Sequence, residues 1–248
     1  MDPASYYEQY WSQSGFHPQR KINPGLVKLF TTHIPPGFKL IDVGCGNSSV
    51  CGQWFQNRGC DYFGVDVSGR AVAEAQAAGL NVCKIDDATH LPYLAETFDA
   101  AVCLEVLEHL FQPRIVAEEL FRVLKPGGVL IATVPNAAYW RRRVELLFGC
   151  WNPLGDDLSI EQPWRDPHIR FFTRSKLKAM LLSVGFKPTE VGGHSSEYSA
   201  LVDNARGLRR LYFAAHSSDI YRLLEQQFPA LLAFRIHAVA FKPASRRT

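Results

Sequence analysis

One ten-residue stretch, residues 39–48 with the sequence KLIDVGCGNS, constrains the fold more than any other part of the chain. Its apolar run contains one acid, Asp42, and is followed by two glycines that are one residue apart, Gly44 and Gly46. This pattern is typical of a buried strand that breaks into a tight turn before a helix. Because glycine carries no side chain, the backbone of such a turn can approach a ligand closely. The stretch therefore predicts a strand, a ligand-binding turn and a helix, in that order.

Two nucleotide-binding motifs compete for this turn. The dinucleotide motif G-x-G-x-x-G requires a third glycine at position 49, where this chain has Ser49. The nucleoside-binding turn of enzymes that use S-adenosylmethionine (SAM) carries an acid two residues before its first glycine, and Asp42 occupies that position. Ser48 departs from this second motif, whose last position is usually glycine. The SAM interpretation is favoured, and an ordinary strand-to-helix corner remains the alternative.

Acids also follow later apolar runs. Asp66 ends a second predicted strand about 20 residues after the glycines, where a nucleoside-binding α/β unit has a carboxylate for the ribose hydroxyls. Asp87 follows a third predicted strand and Glu105 follows a fourth. Strands that alternate with helices predict a parallel sheet with helices on both faces. Ligands bind at the carboxyl ends of such strands, so the glycines and the three acids are expected to line one crevice.

Residues 38–135 resemble a class I SAM-dependent methyltransferase. The matching segments are LIDVGCG at 40–46, Asp66, Asp87-Ala88, Phe98-Asp99, LEVLEH at 104–109 and LKPGG at 124–128. The resemblance implies an α/β fold with a Rossmann-like, doubly wound sheet of seven mostly parallel strands and an antiparallel edge strand. Apolar runs at 129–134, 188–192 and 234–242 supply the last three predicted strands.

The same resemblance implies a donor-binding role for residues at the strand ends. The turn at Gly44 and Gly46 is expected to lie along the methionine part of SAM. Asp66 is expected to hold both ribose hydroxyls, because the two oxygens of a carboxylate accept two parallel hydrogen bonds. Asp87 and the backbone of Ala88 are expected to bind the polar edge of the adenine ring. The residues assigned to the SAM site are Asp42, Gly44, Gly46, Asp66, Asp87, Ala88 and Glu105.

A second set of polar residues follows the fourth predicted strand. Glu105, Glu108 and His109 share one face if the chain there forms a helical turn, and His168 is expected to return to them from a later segment. Oxygen ligands with imidazole suit Mg²⁺ or Mn²⁺ better than zinc. The pattern resembles ubiquinone-biosynthesis O-methyltransferases, and also small-RNA 2′-O-methyltransferases that hold a divalent metal. The alternative is a site without metal, in which His109 or His168 acts as the general base.

The organisation predicted from the sequence has two parts. Residues 1–37 form a helical cap that either closes the donor pocket or covers the sheet, and residues 38–248 form the methyltransferase domain. An aromatic-rich connection at about 137–166 is expected to be a lid over the acceptor site, with a purely structural subdomain as the alternative. A helical insert at about 198–228 is expected to wall the acceptor pocket or to form a dimer surface.

Composition excludes several other classes of protein. No apolar run approaches the roughly 20 residues that span a bilayer, and the first residues lack the features of a signal peptide, so we expect a cytoplasmic protein without a membrane span. Six irregularly spaced cysteines indicate neither a zinc ribbon nor a disulfide framework. A net charge of +3 is too small to indicate nucleic-acid binding by itself, and the basic run Arg141-Arg142-Arg143 is interpreted as a solvated helix face.

These observations predict an enzyme that moves the SAM methyl group to a hydroxyl oxygen of a small-molecule acceptor. Two alternatives remain open. The first is a metal-assisted methyltransferase that acts on an RNA terminal 2′-hydroxyl, which the Glu105, Glu108, His109 and His168 set and the arginine run suggest. The second is a SAM-binding regulatory partner without turnover, which the departure at Ser48 suggests.

Overall fold

The computed structural model describes residues 5, 7, 8, 22–149, 168–195 and 219–244. Residues 1–4, 6 and 9–21 of the predicted N-terminal cap, residues 150–166 of the predicted lid and residues 198–218 of the predicted insert therefore lie outside the described residues. In the part of the chain that is described, no helix is both long enough and apolar enough to cross a membrane. The five cysteines within these ranges are free thiols.

A seven-stranded sheet forms the centre of the protein, in the spatial order β3-β2-β1-β4-β5-β7-β6. The strands are β1 (Lys39–Val43), β2 (Asp61–Asp66), β3 (Val82–Lys84), β4 (Phe98–Leu104), β5 (Leu124–Pro135), β6 (Lys187–His194) and β7 (Arg235–Phe241). The pairs from β3 across to β5 are parallel, and β7 is antiparallel to both β5 and β6. The predicted Rossmann-like, doubly wound sheet is confirmed, with the antiparallel strand one position inside the edge.

Helices cover both faces of this sheet. They are α1 (Pro24–His33), α2 (Cys51–Asn57), α3 (Gly69–Ala77), α4 (Pro113–Val123), α5 (Trp140–Leu147), α6 (Arg174–Val184), α7 (Asp219–Gln227) and α8 (Pro229–Leu232). One apolar cluster joins the sheet to α4 and α6, and a second cluster joins its other face to α1, α2 and α3. Strands buried on both faces need apolar residues at nearly every position, which is why β1, β4 and β5 read as continuous apolar runs.

Side chains at the helix ends explain where two of these helices begin. Ser68 accepts a hydrogen bond from the backbone N–H of Ala71 at 3.2 Å, and it thereby caps α3. Thr173 caps α6 in the same way through the N–H of Lys176. Gly185 ends α6 with φ at 109°, a left-handed conformation that glycine adopts without steric cost. The sequence predicts all three of these positions.

The turn that the sequence predicts at residues 125–128 lies inside β5. The pairing of Phe98 with Leu124 shifts to a pairing of Ala100 with Val129, so the intervening residues form a bulge in a longer strand. The backbone of this bulge is held by β7, because the N–H of Gly127 donates to the carbonyl of Lys242 at 2.9 Å. A long-range pairing therefore extends a segment that appears locally as a turn.

The glycine turn after β1 joins three strand ends. Its Gly44 and Cys45 N–H groups donate to the carbonyl of Val65 in β2, at 2.8 and 3.1 Å. Gly44 has φ at 73°, and a Cβ atom at this position would lie only 2.3 Å from Cγ2 of Val106, which follows β4. Glycine is thus required both by the backbone conformation and by the contact with Val106.

We expect Gly44→Ala to lower the free energy of unfolding by roughly 2 to 5 kcal/mol, because it combines left-handed strain with overpacking against Val106. Gly37→Ala is the matched control, since Gly37 also has a positive φ, 86°, but a Cβ atom added there would have no other atom within 4 Å. Urea unfolding of both variants measures the difference. Equal losses in the two variants would show that the contact with Val106 contributes little.

Candidate functional site

Asp66 lies at the end of β2 with its carboxylate held in a fixed orientation. Its Oδ2 accepts a hydrogen bond from the N–H of Gly46 at 2.7 Å, and its Oδ1 accepts one from the N–H of Ser68 at 2.9 Å. Burial raises the pKa of Asp66, and these backbone donors partly offset that increase. Each carboxylate oxygen has a second lone pair, so the group retains the capacity to accept hydrogen bonds from two hydroxyls.

Asp42 lies beneath the glycine turn, within a buried chain of hydrogen bonds. The hydroxyl of Tyr62 donates to Oδ2 of Asp42 at 2.9 Å, and Oγ of Ser48 lies 2.8 Å from the same hydroxyl. Asp42 is only 3% exposed. Burial raises its pKa to about 7, although the hydrogen bond from Tyr62 acts in the opposite direction. Asp42 therefore supports the turn from below, through Tyr62 and Ser48.

Ser48, the departure from the SAM motif, preserves the shape of the turn. Its φ is 52°, in the left-handed region that glycine normally occupies. Its N–H donates to the carbonyl of Cys45 at 3.1 Å, and its hydroxyl belongs to the buried chain with Tyr62. The local hydrogen bonds offset the strain that a non-glycine residue brings to this position.

Asp87 and Ala88 follow β3 at the same edge of the sheet. The N–H of Ile85, which precedes them, donates to the carbonyl of Asp66 at 3.0 Å and connects this loop to the end of β2. Asp87 is exposed, and its Oδ1 accepts hydrogen bonds from the hydroxyl and the N–H of Thr89, which lower its pKa. Ala88 is buried. A backbone hydrogen bond thus joins the loop after β3 to the end of β2.

Two residues near the N-terminus also reach the crevice. The carboxylate of Glu8 accepts hydrogen bonds from the N–H groups of Gly69 and Arg70 at the start of α3. The ring of Tyr7 packs edge-on against the ring of His109, with centroids 6.1 Å apart. A carboxylate at a helix N-terminus is stabilising because it meets unpaired N–H groups and the positive end of the helix dipole. Sequence reasoning did not identify these contacts, because residues more than 60 positions apart form them.

Three residues converge after β4, and we call them the Glu108 group: Glu108, His109 and His168. One potential ligand atom from each lies within 4.8 Å of the others. Oε1 of Glu108 is 3.7 Å from Nε2 of His109 and 3.8 Å from Nε2 of His168. Glu108 is only 1% exposed, whereas the two histidines are partly exposed. A buried carboxylate is thus placed between two imidazoles that remain accessible.

Backbone hydrogen bonds hold the Glu108 group together across a long stretch of sequence. Glu108 and His109 belong to a 3₁₀ turn at Leu107–His109. The carbonyl of Glu108 accepts hydrogen bonds from the N–H groups of Ile169 and Arg170, both at 3.0 Å. The segment that begins at His168 is therefore attached to this turn, at the place where the sequence predicts that His168 returns.

The structure gives Glu105, the remaining predicted metal ligand, a different partner. Oε2 of Glu105 is 2.9 Å from Nε of Arg235 at the start of β7. Glu105 has φ at 55°, which is unusual for a residue that is not glycine. Its N–H donates to the carbonyl of Thr133 at 3.0 Å and lies 3.2 Å from the hydroxyl of Thr133. Sequence reasoning missed Arg235, which is 130 positions from Glu105 and belongs to no local motif.

The donor atoms of the Glu108 group fit a divalent metal ion. One carboxylate and two imidazoles are typical ligands of Mn²⁺ and of other first-row metals, whereas Mg²⁺ prefers oxygen ligands alone. The set without Glu105 therefore suits Mn²⁺ better than Mg²⁺. The same three residues also form an acid–base cluster, because imidazoles exchange protons near neutral pH.

Comparisons with known proteins place this geometry in context. Residues 41–132 match the family model of a methyltransferase domain. The chain is 33% identical over 154 residues to the tRNA (carboxymethyluridine(34)-5-O)-methyltransferase of Arabidopsis thaliana, a match that covers 58% of this chain and 36% of that protein. It is 33% identical over 136 residues to the ubiquinone biosynthesis O-methyltransferase of Pseudomonas fluorescens, and this match covers 52% of the chain and 58% of that protein. The match thus spans about a third of the first relative and somewhat more than half of the second.

Solved structures resemble the whole fold at low sequence identity. A SAM-dependent methyltransferase from Methanosarcina mazei superposes with a TM-score of 0.59 at 18% identity, over 91% of this chain and 100% of that one. At this identity the likeness shows the fold alone.

The raised pKa of Asp42 predicts a specific pH dependence of stability. The folded protein retains a proton on Asp42 up to about pH 7, whereas the unfolded chain releases it near 3.8, so the stability that depends on this proton is lost as the pH rises between these values. Asp42→Asn removes the effect, and we expect its free energy of unfolding relative to the unmodified protein to rise by on the order of 3 to 4 kcal/mol from pH 4 to pH 8. Urea titrations across this range test it, and a difference that does not change with pH contradicts the assignment.

Proposed function

We propose that this chain is a class I SAM-dependent methyltransferase and that it transfers the methyl group of SAM to a hydroxyl oxygen of a small-molecule acceptor; the match of residues 41–132 to a methyltransferase domain and the 33% identity to an O-methyltransferase support this proposal. The observation that carries this proposal is the Glu108 group, in which two accessible imidazoles flank a buried carboxylate. A hydroxyl becomes a good nucleophile only when its proton is removed, and a neighbouring imidazole removes it near neutral pH. The relatedness to an O-methyltransferase of ubiquinone biosynthesis agrees with this acceptor chemistry.

The contact between Gly44 and Val106 supports a short path between donor and acceptor. In the proposal, the Gly44 and Gly46 turn binds the methionine part of SAM, Asp66 binds the ribose, and Asp87 with Ala88 binds the adenine. Val106 packs directly against the donor turn and lies only two residues before Glu108. In the proposal, the donor turn and the base lie side by side, which is the arrangement that methyl transfer by direct in-line displacement requires.

The proposed reaction needs no covalent intermediate on the enzyme. His109 or His168 accepts the hydroxyl proton, and the oxygen forms a bond to the methyl carbon while the carbon–sulfur bond breaks. S-adenosylhomocysteine then leaves as the second product. If a divalent metal is used, Glu108, His109 and His168 would hold it, and it would supply a lower pKa for the acceptor hydroxyl.

We expect Asp66→Ala to weaken SAM binding by more than about tenfold, because a charge-assisted pair of hydrogen bonds contributes on the order of 2 to 3 kcal/mol. Calorimetric titration with SAM measures the dissociation constant. Asp61→Ala is the matched control, since Asp61 is the exposed first residue of the same strand. If Asp66→Ala binds SAM as tightly as Asp61→Ala, Asp66 is not a donor ligand.

We expect Glu108→Gln to lose activity and any bound metal while it retains SAM binding, because the substitution removes the negative charge between the imidazoles. Glu118→Gln, a substitution on the exposed surface of α4, is the control and should change none of the three. Elemental analysis, turnover of SAM and calorimetry are the measurements. Full activity in excess EDTA excludes the metal but leaves the histidines as bases. Full activity of Glu108→Gln itself removes the Glu108 group from the reaction.

A hydroxyl of RNA is the second candidate acceptor, and the relative whose name specifies a tRNA substrate favours it. The basic run Arg141-Arg142-Arg143 gives only limited support for RNA binding. Arg141 and Arg142 both pair with Glu145, at 2.7 and 3.1 Å, and this carboxylate offsets part of their positive charge. RNA binding through phosphates weakens steeply as salt increases. Filter binding of tRNA at several salt concentrations, with turnover assays on tRNA and on small phenols, separates the two acceptors.

A further inference from the structure

Tyr7 and Glu8 are adjacent in the chain, and they contact two different strand ends of the crevice. Glu8 accepts hydrogen bonds from the N–H groups of Gly69 and Arg70, which begin α3 shortly after the end of β2. The ring of Tyr7 packs edge-on against the ring of His109, in the 3₁₀ turn that follows β4. In the sheet, β1 separates β2 from β4, so these two ends are roughly 10 Å apart. Two consecutive residues therefore join the proposed donor side of the crevice to the proposed base.

The contacts of Glu8 fix these two residues at the start of α3. The first N–H groups of a helix have no partner inside the helix, and a carboxylate there also meets the positive end of the helix dipole. Ser68 caps the third residue of α3, and Glu8 accepts the N–H groups of the first two. Burial is the main cause of the raised pKa of Asp66, and the nearby charge of Glu8 adds to it. Glu8 is therefore anchored close to the carboxylate that is proposed to bind the ribose.

His109 lies on a short turn, and its ring is partly exposed. The 3₁₀ turn has only three residues, Leu107–His109, and 17% of the His109 side chain is exposed. Its Nε2 atom is 3.7 Å from Oε1 of Glu108, which is longer than a hydrogen bond, and its ring centroid is 4.8 Å from that of His168. The ring of Tyr7 is inclined by 87° to the imidazole, in the edge-to-face arrangement that aromatic pairs prefer. This contact therefore limits the orientations that the imidazole can adopt.

We propose that Tyr7 is a positioning residue that holds the imidazole of His109 in the orientation needed for proton transfer, with Glu8 as its anchor. The inference rests on the proposed function and takes His109 as the group that removes the proton of the acceptor hydroxyl. Because the anchor is close to Asp66, the base is oriented relative to the donor site. Methyl transfer depends on this alignment, since reactivity falls steeply when a reacting group is displaced by about 1 Å. Tyr7 itself exchanges no proton in the reaction.

We expect Tyr7→Ala to lower kcat for the methylation of catechol by roughly ten- to a hundredfold, because the imidazole loses its orientation. The dissociation constant for SAM should change by less than about twofold, since the lost contact is with the base. Tyr7→Phe keeps the ring and should restore kcat to within about twofold of the unmodified protein. Glu8→Ala should reproduce the loss, and the double variant should lose no more than the larger single loss, because both residues act through one contact. Glu118→Gln, on the exposed surface of α4, is the control and should change none of these values.

Chemical labelling distinguishes this inference from the proposed function, because it needs no turnover. Diethyl pyrocarbonate acylates accessible neutral imidazoles, and mass spectrometry measures each histidine separately. We expect His109 to be labelled several times faster in Tyr7→Ala and in Glu8→Ala than in the unmodified protein, while the exposed His90 is labelled at one rate in all three. If labelling changes in this way but no hydroxyl is methylated, the positioning of His109 by Tyr7 stands and hydroxyl methylation fails. The inference is overturned by unchanged labelling of His109, by an unchanged kcat or a weaker affinity for SAM in Tyr7→Ala, or by an equal loss of kcat in Tyr7→Phe.

Discussion

The close contact between Gly44 and Val106 is the constraint on which the rest of the site depends. The donor turn after β1 and the segment after β4 touch at a distance that leaves no space for a side chain on Gly44. The same turn is bound to β2 through the carbonyl of Val65. Three neighbouring strand ends are therefore fixed relative to each other by backbone contacts, and side chains that follow them are positioned without long, flexible connections. In the proposed function, these contacts place the donor-binding groups beside the acceptor-activating groups.

The buried chain beneath the turn explains why an acid and a serine occupy these positions. Burial raises the pKa of Asp42 to about 7, and the protonated form avoids the cost of burying a full charge. Tyr62 connects Asp42 to Ser48 and occupies the space beside Gly52, where an added Cβ atom would lie 3.0 Å from the tyrosine ring. The turn is thus supported by a small polar core, and Ser48 can adopt a left-handed conformation without loss of the fold.

The positions of the residues in the proposed donor half of the crevice could be predicted from the sequence because each of their signals is local. Gly44, Gly46 and Asp66 each follow an apolar run directly, and the sheet topology brings the ends of such runs together. The acceptor half was only partly predictable. The sequence analysis expected His168 to lie near Glu108, and the two side chains are close in the structure. It did not predict the ion pair of Glu105 with Arg235, because that contact depends on where β7 enters the sheet. The bulge in β5 was missed for the same reason, since β7 stabilises it.

This difference between the two halves follows from what each has to recognise. A donor that is shared by a whole class of enzymes can be bound by short motifs at the ends of consecutive strands, so the sequence signals for its site are local. An acceptor differs between members, and here its proposed ligands come from segments far apart in the chain: the 3₁₀ turn after β4 and the segment that begins at His168. The fold alone therefore specifies neither the donor nor the acceptor, and the proposed function must be argued from Gly44, Asp66, Glu108 and His168 themselves.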